Sequence, residues 1–214
     1  MSVVRPEFGP TLPELLAPRL RALPAPLRAA LAVLAAAVVL VVLWALLLHG
    51  GAADRQVVVR GPVAFNFIYR APLHRAPARA GETVRLAAAN GQSMTVRPLH
   101  LPAYRGDSAG ILPIWATRAA DALGRRLPGF QTRTEGRTNI NRFQGYEMVF
   151  QYRPAGRLVF GRRIFLLPQP TARDGVEITV LAPHTAAVPN ADAAGHNGTL
   201  KTALRSFRFG TQRP

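Results

Sequence analysis

Residues 29–48 are apolar at all twenty positions, AALAVLAAAVVLVVLWALLL, with no charge, proline, glycine or hydroxyl among them. A helix rising about 1.5 Å per residue needs roughly 20 such residues to cross a hydrocarbon layer of about 30 Å. The pattern therefore predicts one transmembrane helix. Arg28 bounds it on one side and His49-Gly50-Gly51 on the other, and Trp44 lies near the second end, where aromatic rings favour the membrane interface. Small residues at Gly51-Ala52-Ala53 raise the alternative of a cleaved signal peptide. Against that stand an apolar core longer than the roughly 7–15 residues of a secretory signal and a long leader before it. The reading is an uncleaved signal-anchor.

Beyond the anchor the period changes. Residues 63–69 alternate and are rich in β-formers; 83–89 and 93–101 flank Asn90-Gly91, a hairpin signal. From Pro113 to Leu127 the apolar residues Trp115, Ala119, Leu123 and Leu127 fall four apart, with Ile114 and Ala122 beside them, which predicts an amphipathic helix stopped by Pro128-Gly129. Tyr146, Met148, Phe150 and Tyr152 then alternate with Glu147, Gln151 and Arg153, as in a strand with one face buried and one wet. Turns at Pro154-Ala-Gly156 and Asp174-Gly175 lead into 158–167 and 176–181, completing an antiparallel meander. Leu200, Ala203, Leu204 and Phe207 predict a closing helix. Hairpins segregated from helices mean an α+β fold, an antiparallel sheet packed by helices.

The expected domains are a cytoplasmic proline-rich tail (1–28), the transmembrane helix (29–48), a linker (49–62) and an extracytoplasmic α+β domain (63–214). Six prolines break up the tail, although Leu12, Leu15, Leu16, Leu20 and Leu23 keep helical spacing and Pro10-Thr-Leu-Pro13 has the form PxxP. Orientation rests on Arg19, Arg21 and Arg28 before the helix against Arg55 and Arg60 after it. It rests also on the ease with which a long following domain translocates. The N-terminus is then cytoplasmic, and the protein a single-pass protein of the cell membrane.

Three strings carry a family resemblance: Phe65-Asn-Phe-Ile-Tyr69, Gly145-Tyr-Glu-Met-Val-Phe150 and Leu204-Arg-Ser-Phe-Arg-Phe209. In element order and in these strings, residues 63–210 resemble the PsbP-like group, which includes a photosystem II extrinsic subunit, a nuclear import factor and mycobacterial envelope lipoproteins of the LpqN type. The resemblance implies a sandwich of antiparallel sheet between helices acting as a non-catalytic binding or assembly module. This chain departs from the lipoproteins in lacking the cysteine that carries their lipid, and in its strong positive charge. The membrane helix stands where the lipid would be.

Composition narrows the chemistry. With no cysteine, disulfides, thiolate metal sites and cysteine nucleophiles are excluded. The formal charge is +16, nearly all from arginine, and residues 49–214 alone hold 23 basic and 9 acidic side chains. Arginine-rich pairs such as Arg125-Arg126 and Arg162-Arg163 suit phosphate or carboxylate, which makes anionic lipid headgroups or envelope polymers the candidate partners. No nucleic-acid motif is present, so no nucleic-acid partner is expected. No cofactor is expected either.

Catalysis has one opening. Gly106-Asp-Ser-Ala-Gly110 has the form G-x-S-x-G, with Asp174 or Asp192 and His184 or His196 downstream, so the alternative function is a membrane-tethered serine hydrolase using Ser108. The segment before it is short and carries a proline, and the parallel βαβ units of such hydrolases are missing. His184, Asp192 and His196 are chemically competent metal ligands, yet their wide spacing in a loop favours solvated side chains. Asn197-Gly-Thr199 has the form of a glycosylation sequon. Glu147 and Glu177 are expected to share the outer face of the meander opposite Arg162 or Arg163.

Overall fold

The computed structural model describes residues 24–48, 54–103 and 105–212. The proline-rich segment before Pro24 and the Gly51-Ala52-Ala53 site lie outside them. The chain divides into two units, residues 1–51 and 52–214. In the first, helix α1 (Ala25–Leu48) runs for 24 residues, about 36 Å at 1.5 Å per residue. It starts four residues before the apolar run, because Pro26 falls in the first turn, where its missing N–H costs nothing. Among the described residues no helix is long and apolar enough to cross a membrane.

The second unit is the α+β domain. Strands β1 (Arg55–Val59) and β2 (Phe65–Tyr69) pair antiparallel, and the short C-terminal strand β10 (Arg208–Phe209) adds to the other edge of β2. A seven-stranded antiparallel sheet runs in the order β3-β4-β5-β9-β8-β7-β6. Its members are β3 (His74–Ala76), β4 (Val84–Ala87), β5 (Ser93–His100), β6 (Gln131–Ile140), β7 (Phe143–Tyr152), β8 (Val159–Leu166) and β9 (Asp174–Pro183). A 3-10 turn (Ser108–Ile111) leads into helix α2 (Leu112–Gly124), and helix α3 (Leu200–Arg205) precedes β10.

Both faces of the large sheet are covered, unequally. One packs against β2 and α3 in a core that joins Phe65, Phe67, Leu204 and Phe207 to Leu86, Met94, Val96, Ile164, Ile178 and Val180. On the other, 3-10 turn and α2 residues Ile111, Leu112 and Ala116 bury a smaller cluster with Leu99, Leu101, Phe165 and Leu167. One helix of 13 residues cannot cover seven strands, so much of that face stays open.

Several local expectations need correction. The linker assigned to 49–62 contains β1, whose Val57 is 2% exposed and locks onto the core. In the β4–β5 hairpin only Gly91 takes positive φ, within a longer turn closed by the Ala88 N–H to the Gln92 carbonyl. Helix α2 ends at Gly124, and Ile114 is 54% exposed because Leu112 and Ala116 carry the buried stripe. Asp174-Gly175 opens β9 rather than making the turn. Gly175 is needed there because a Cβ would overlap the Leu166 backbone. The polar run 131–140 is a full strand, β6, at the sheet edge, where exposure makes an apolar alternation unnecessary. The middle of the meander has no fully wet face: Glu147 meets the buried Arg162, and Gln151 bonds to Gln131 and Arg133 of the exposed edge strand β6.

Candidate functional site

Successive side chains of a strand point to opposite faces, so Arg162 and Arg163 of β8 end in different surroundings. Arg162 enters the larger core, with a side chain 2% exposed. Its Nη1 donates to Glu147 Oε2 at 2.7 Å, its Nε to the Ala194 carbonyl at 2.9 Å and its Nη2 to the Asp192 carbonyl at 2.8 Å. A guanidinium committed to three internal acceptors is a clamp on the 191–196 loop, so Arg162 leaves the predicted anion-binding set. His196 stands beside it, Nδ1 at 3.4 Å from Nη2. Burial and then the Arg162 charge hold the His196 pKa below the usual 6.5.

Arg163 lies on the open face. The register lines up Arg85, Thr95, Thr179, Arg163, Met148 and Glu135 in one cross-strand row, and Arg97, Glu177, Phe165, Tyr146 and Arg137 in the next. Helix α2 lies beside these rows. Trp115, Arg118 and Ala119 of α2 and Arg163, Phe165 and Glu177 of the sheet enclose a groove of about 240 Å³. Arg118 rests over the Trp115 ring at 5.3 Å. Arg126, just past the helix, and Arg97 are close enough to Arg163 to depress its pKa, adding to the larger effect of burial, while Glu177 opposes them.

The guanidiniums of Arg85, Arg97, Arg118, Arg126, Arg137 and Arg163 thus share this side with the carboxylates of Glu82, Glu135 and Glu177. Glu82, its side chain 2% exposed, serves Arg85 at 2.6 Å and Arg97 at 3.4 Å. Burial alone would raise its pKa, but the hydrogen bonds and charge of Arg85, the Arg79 N–H and the Arg97 hydrogen bond hold it at about 2. Glu177 lies 3.4 Å from Arg163 Nε without making a hydrogen bond, and that Nε–H is buried with no acceptor. A buried donor without an acceptor is costly and rare in folded proteins. The surplus positive charge and the unspent donor make this groove the candidate site, with chemistry that suits an anion.

Of the predicted quartet, the structure brings Arg126 and Arg163 together, leaves Arg125 exposed at the end of α2 and buries Arg162 on the other face. Sequence reasoning missed Arg85, Arg97, Arg118 and Trp115. The alternation of Met94 and Val96 with Thr95 and Arg97 was the available sign. Glu147 and Glu177 take opposite faces instead of sharing one, each with its own arginine.

The remaining candidates stay apart. Ser108 is 3% exposed, begins a 3-10 turn rather than following a strand, and donates its hydroxyl to the Thr171 carbonyl at 3.3 Å. That is the setting of a turn residue, not of an exposed nucleophile. His184 packs its ring edge-on against Phe160, and Asp192 gives its carbonyl to Arg162. Among the described residues no group of three or more His, Asp or Glu is placed to hold a metal ion.

No protein-family model matches the chain, and no curated protein matches it. Similar solved structures include the Ran-binding protein Mog1p of Saccharomyces cerevisiae, 11% identical over 74% of this chain and 96% of that one, with a TM-score of 0.49. LpqN of Mycobacterium tuberculosis, involved in cell envelope biogenesis, is 12% identical over 75% of this chain and 92% of its own, with a TM-score of 0.48. Cyanobacterial PsbP (CyanoP) of Synechocystis sp. is 12% identical over 76% and 95%, with a TM-score of 0.47. LpqN and CyanoP are of the PsbP-like group that the three sequence strings resemble, and their likeness to this chain is one of fold.

Proposed function

We propose that this is a single-pass membrane protein whose extracytoplasmic α+β domain binds, without catalysis, an anionic component of the cell envelope. The observation that carries the reading is the open sheet face with Arg97, Arg126 and Arg163 around one groove and an unspent buried N–H among them. Guanidinium forks there suit phosphate, sulfate or carboxylate groups. The anchor is supported by the uninterrupted apolar run 29–48 of the sequence. Residues 1–28 then stay in the cytoplasm and the domain lies outside.

Two measurements test this. Protease added to intact cells should digest the C-terminal domain; protection until lysis would reverse the topology. For the binding claim, the full chain in phosphatidylcholine nanodiscs is titrated with heparin as a polyanion probe. Affinity should fall at least about tenfold between roughly 50 and 200 mM salt, as counterion release requires. A variant carrying R97Q, R126Q and R163Q should lose most of the low-salt affinity. Salt-insensitive binding, or an unaffected triple variant, would refute the site.

A further inference from the structure

A second cleft, of about 500 Å³, lies between the 3-10 turn, Pro113 at the start of α2 and the β6–β7 hairpin. Its floor follows from register. Arg137 pairs with Tyr146 and Asn139 with Gln144, so these four side chains occupy two neighbouring rows on the face that α2 covers in part. The rows stand about 7 Å apart along the strands. Asp107 forms the opposite wall, beside Gly110 and Pro113.

The chemistry of this cleft is unspent. Among the described residues Arg137, Asn139, Gln144 and Tyr146 make no side-chain hydrogen bond. Asp107 uses Oδ1 to cap the 3-10 turn, accepting the Ala109 N–H at 2.8 Å, and is in no ion pair. A cation and a carboxylate thus face one cavity from separate walls without meeting. Two primary amides and a phenol lie on the same floor as the cation. A plain anion would bring its charge up to Asp107. A neutral polyol would satisfy the amides but leave both charges without a counter-charge. A ligand with a carboxylate at one end, an ammonium at the other and an amide between satisfies both charges and both amides. The volume falls within the roughly 300–1,000 Å³ of small-ligand sites.

We propose that this cleft is a second binding site, for a short peptide with free termini: Arg137 takes the carboxylate, Asp107 takes the ammonium, and Asn139 and Gln144 pair with the peptide group. This site is independent of the anion groove, since none of its residues lines that groove.

The test is saturation-transfer NMR on the full chain in phosphatidylcholine nanodiscs, with L-alanyl-L-alanine as probe and its N-acetylated, C-amidated form as control. The free dipeptide should bind with a dissociation constant of about 1 mM, and the blocked form at least about tenfold more weakly. D107N keeps the turn cap, because asparagine caps as aspartate does, and R137Q changes an exposed edge-strand residue, so both variants fold. Each should weaken the free dipeptide at least about fivefold, a charge-assisted hydrogen bond being the interaction lost. R163Q should leave dipeptide binding unchanged while weakening heparin, so each site can fail without the other. Equal binding of free and blocked dipeptide, no transfer to either at about 10 mM, or wild-type binding by both D107N and R137Q would overturn the proposal.

Discussion

The strongest single prediction concerns Arg162. Replacing it by methionine keeps most of the buried stem and removes three charge-assisted hydrogen bonds: one to Glu147 and two to the carbonyls of Asp192 and Ala194. Such bonds are each worth about 1.5–3 kcal/mol, and breaking a buried pair from one side costs about 3–5 kcal/mol, mostly through the charge left behind. Glu147, with 21% of its side chain exposed, recovers part of its solvation, while the methionine replaces part of the guanidinium's packing. The net loss is set at about 3–4 kcal/mol. With a urea dependence of about 2 kcal/mol per M, the unfolding midpoint falls by roughly 1.5–2 M. The chain has two tryptophans, Trp44 and Trp115, so the full chain carrying W44F reports unfolding of the domain through Trp115 alone. Hydrogen exchange at residues 191–196 should accelerate first, because two of the lost bonds held that loop. The double variant E147M/R162M should be more stable than R162M, since it removes the orphaned carboxylate. A loss below about 1 kcal/mol, or a double variant no better than the single, would refute the clamp.

Three further outcomes follow from particular contacts. Gly161 lies opposite Phe150, and a Cβ there would overlap the Phe150 ring, so G161A should cost about 1–3 kcal/mol by urea unfolding; a neutral result would show that the ring has room to move. His196 has a folded pKa below 6.5, so below that value the unfolded chain binds the extra proton. Stability should therefore fall as pH drops through the window beneath 6.5, and H196Q should remove that part of the slope; an unchanged slope would refute it. Ser108 spends its hydroxyl on a carbonyl, so S108A should cost no more than about 1.5 kcal/mol, and wild-type protein should resist a fluorophosphonate probe. Labelling that disappears in S108A would revive the hydrolase.

Local pattern was enough for the elements whose signal is contained in their own residues. The apolar run 29–48 is read as a helix because twenty positions agree, and α1 is there. Alternation in β7, the Pro113 start of α2 and the Leu200, Ala203, Leu204 stripe of α3 also follow from short-range periodicity, and with them the α+β class. Strands β1, β3 and β6 left no such sign. Two of them are short and the third is a polar edge, held by backbone pairing to the strand that follows it rather than by an apolar stripe of its own.

What tertiary structure alone decided is which polar residues meet. Arg162 and Arg163 are adjacent in the chain and indistinguishable by type, yet the two-residue period of a strand sends one to a buried clamp and the other to an open groove. Which face is which depends on where β2, α2 and α3 pack, a matter of long-range burial. The arginine groove draws on residues 97, 118, 126 and 163, and no linear window contains them. The sequence by itself determined a long apolar helix, an α+β domain and a large positive charge. Strand order and register determined where that charge is neutralised and where it is left for a partner, because pairing across a sheet joins residues that sequence distance separates.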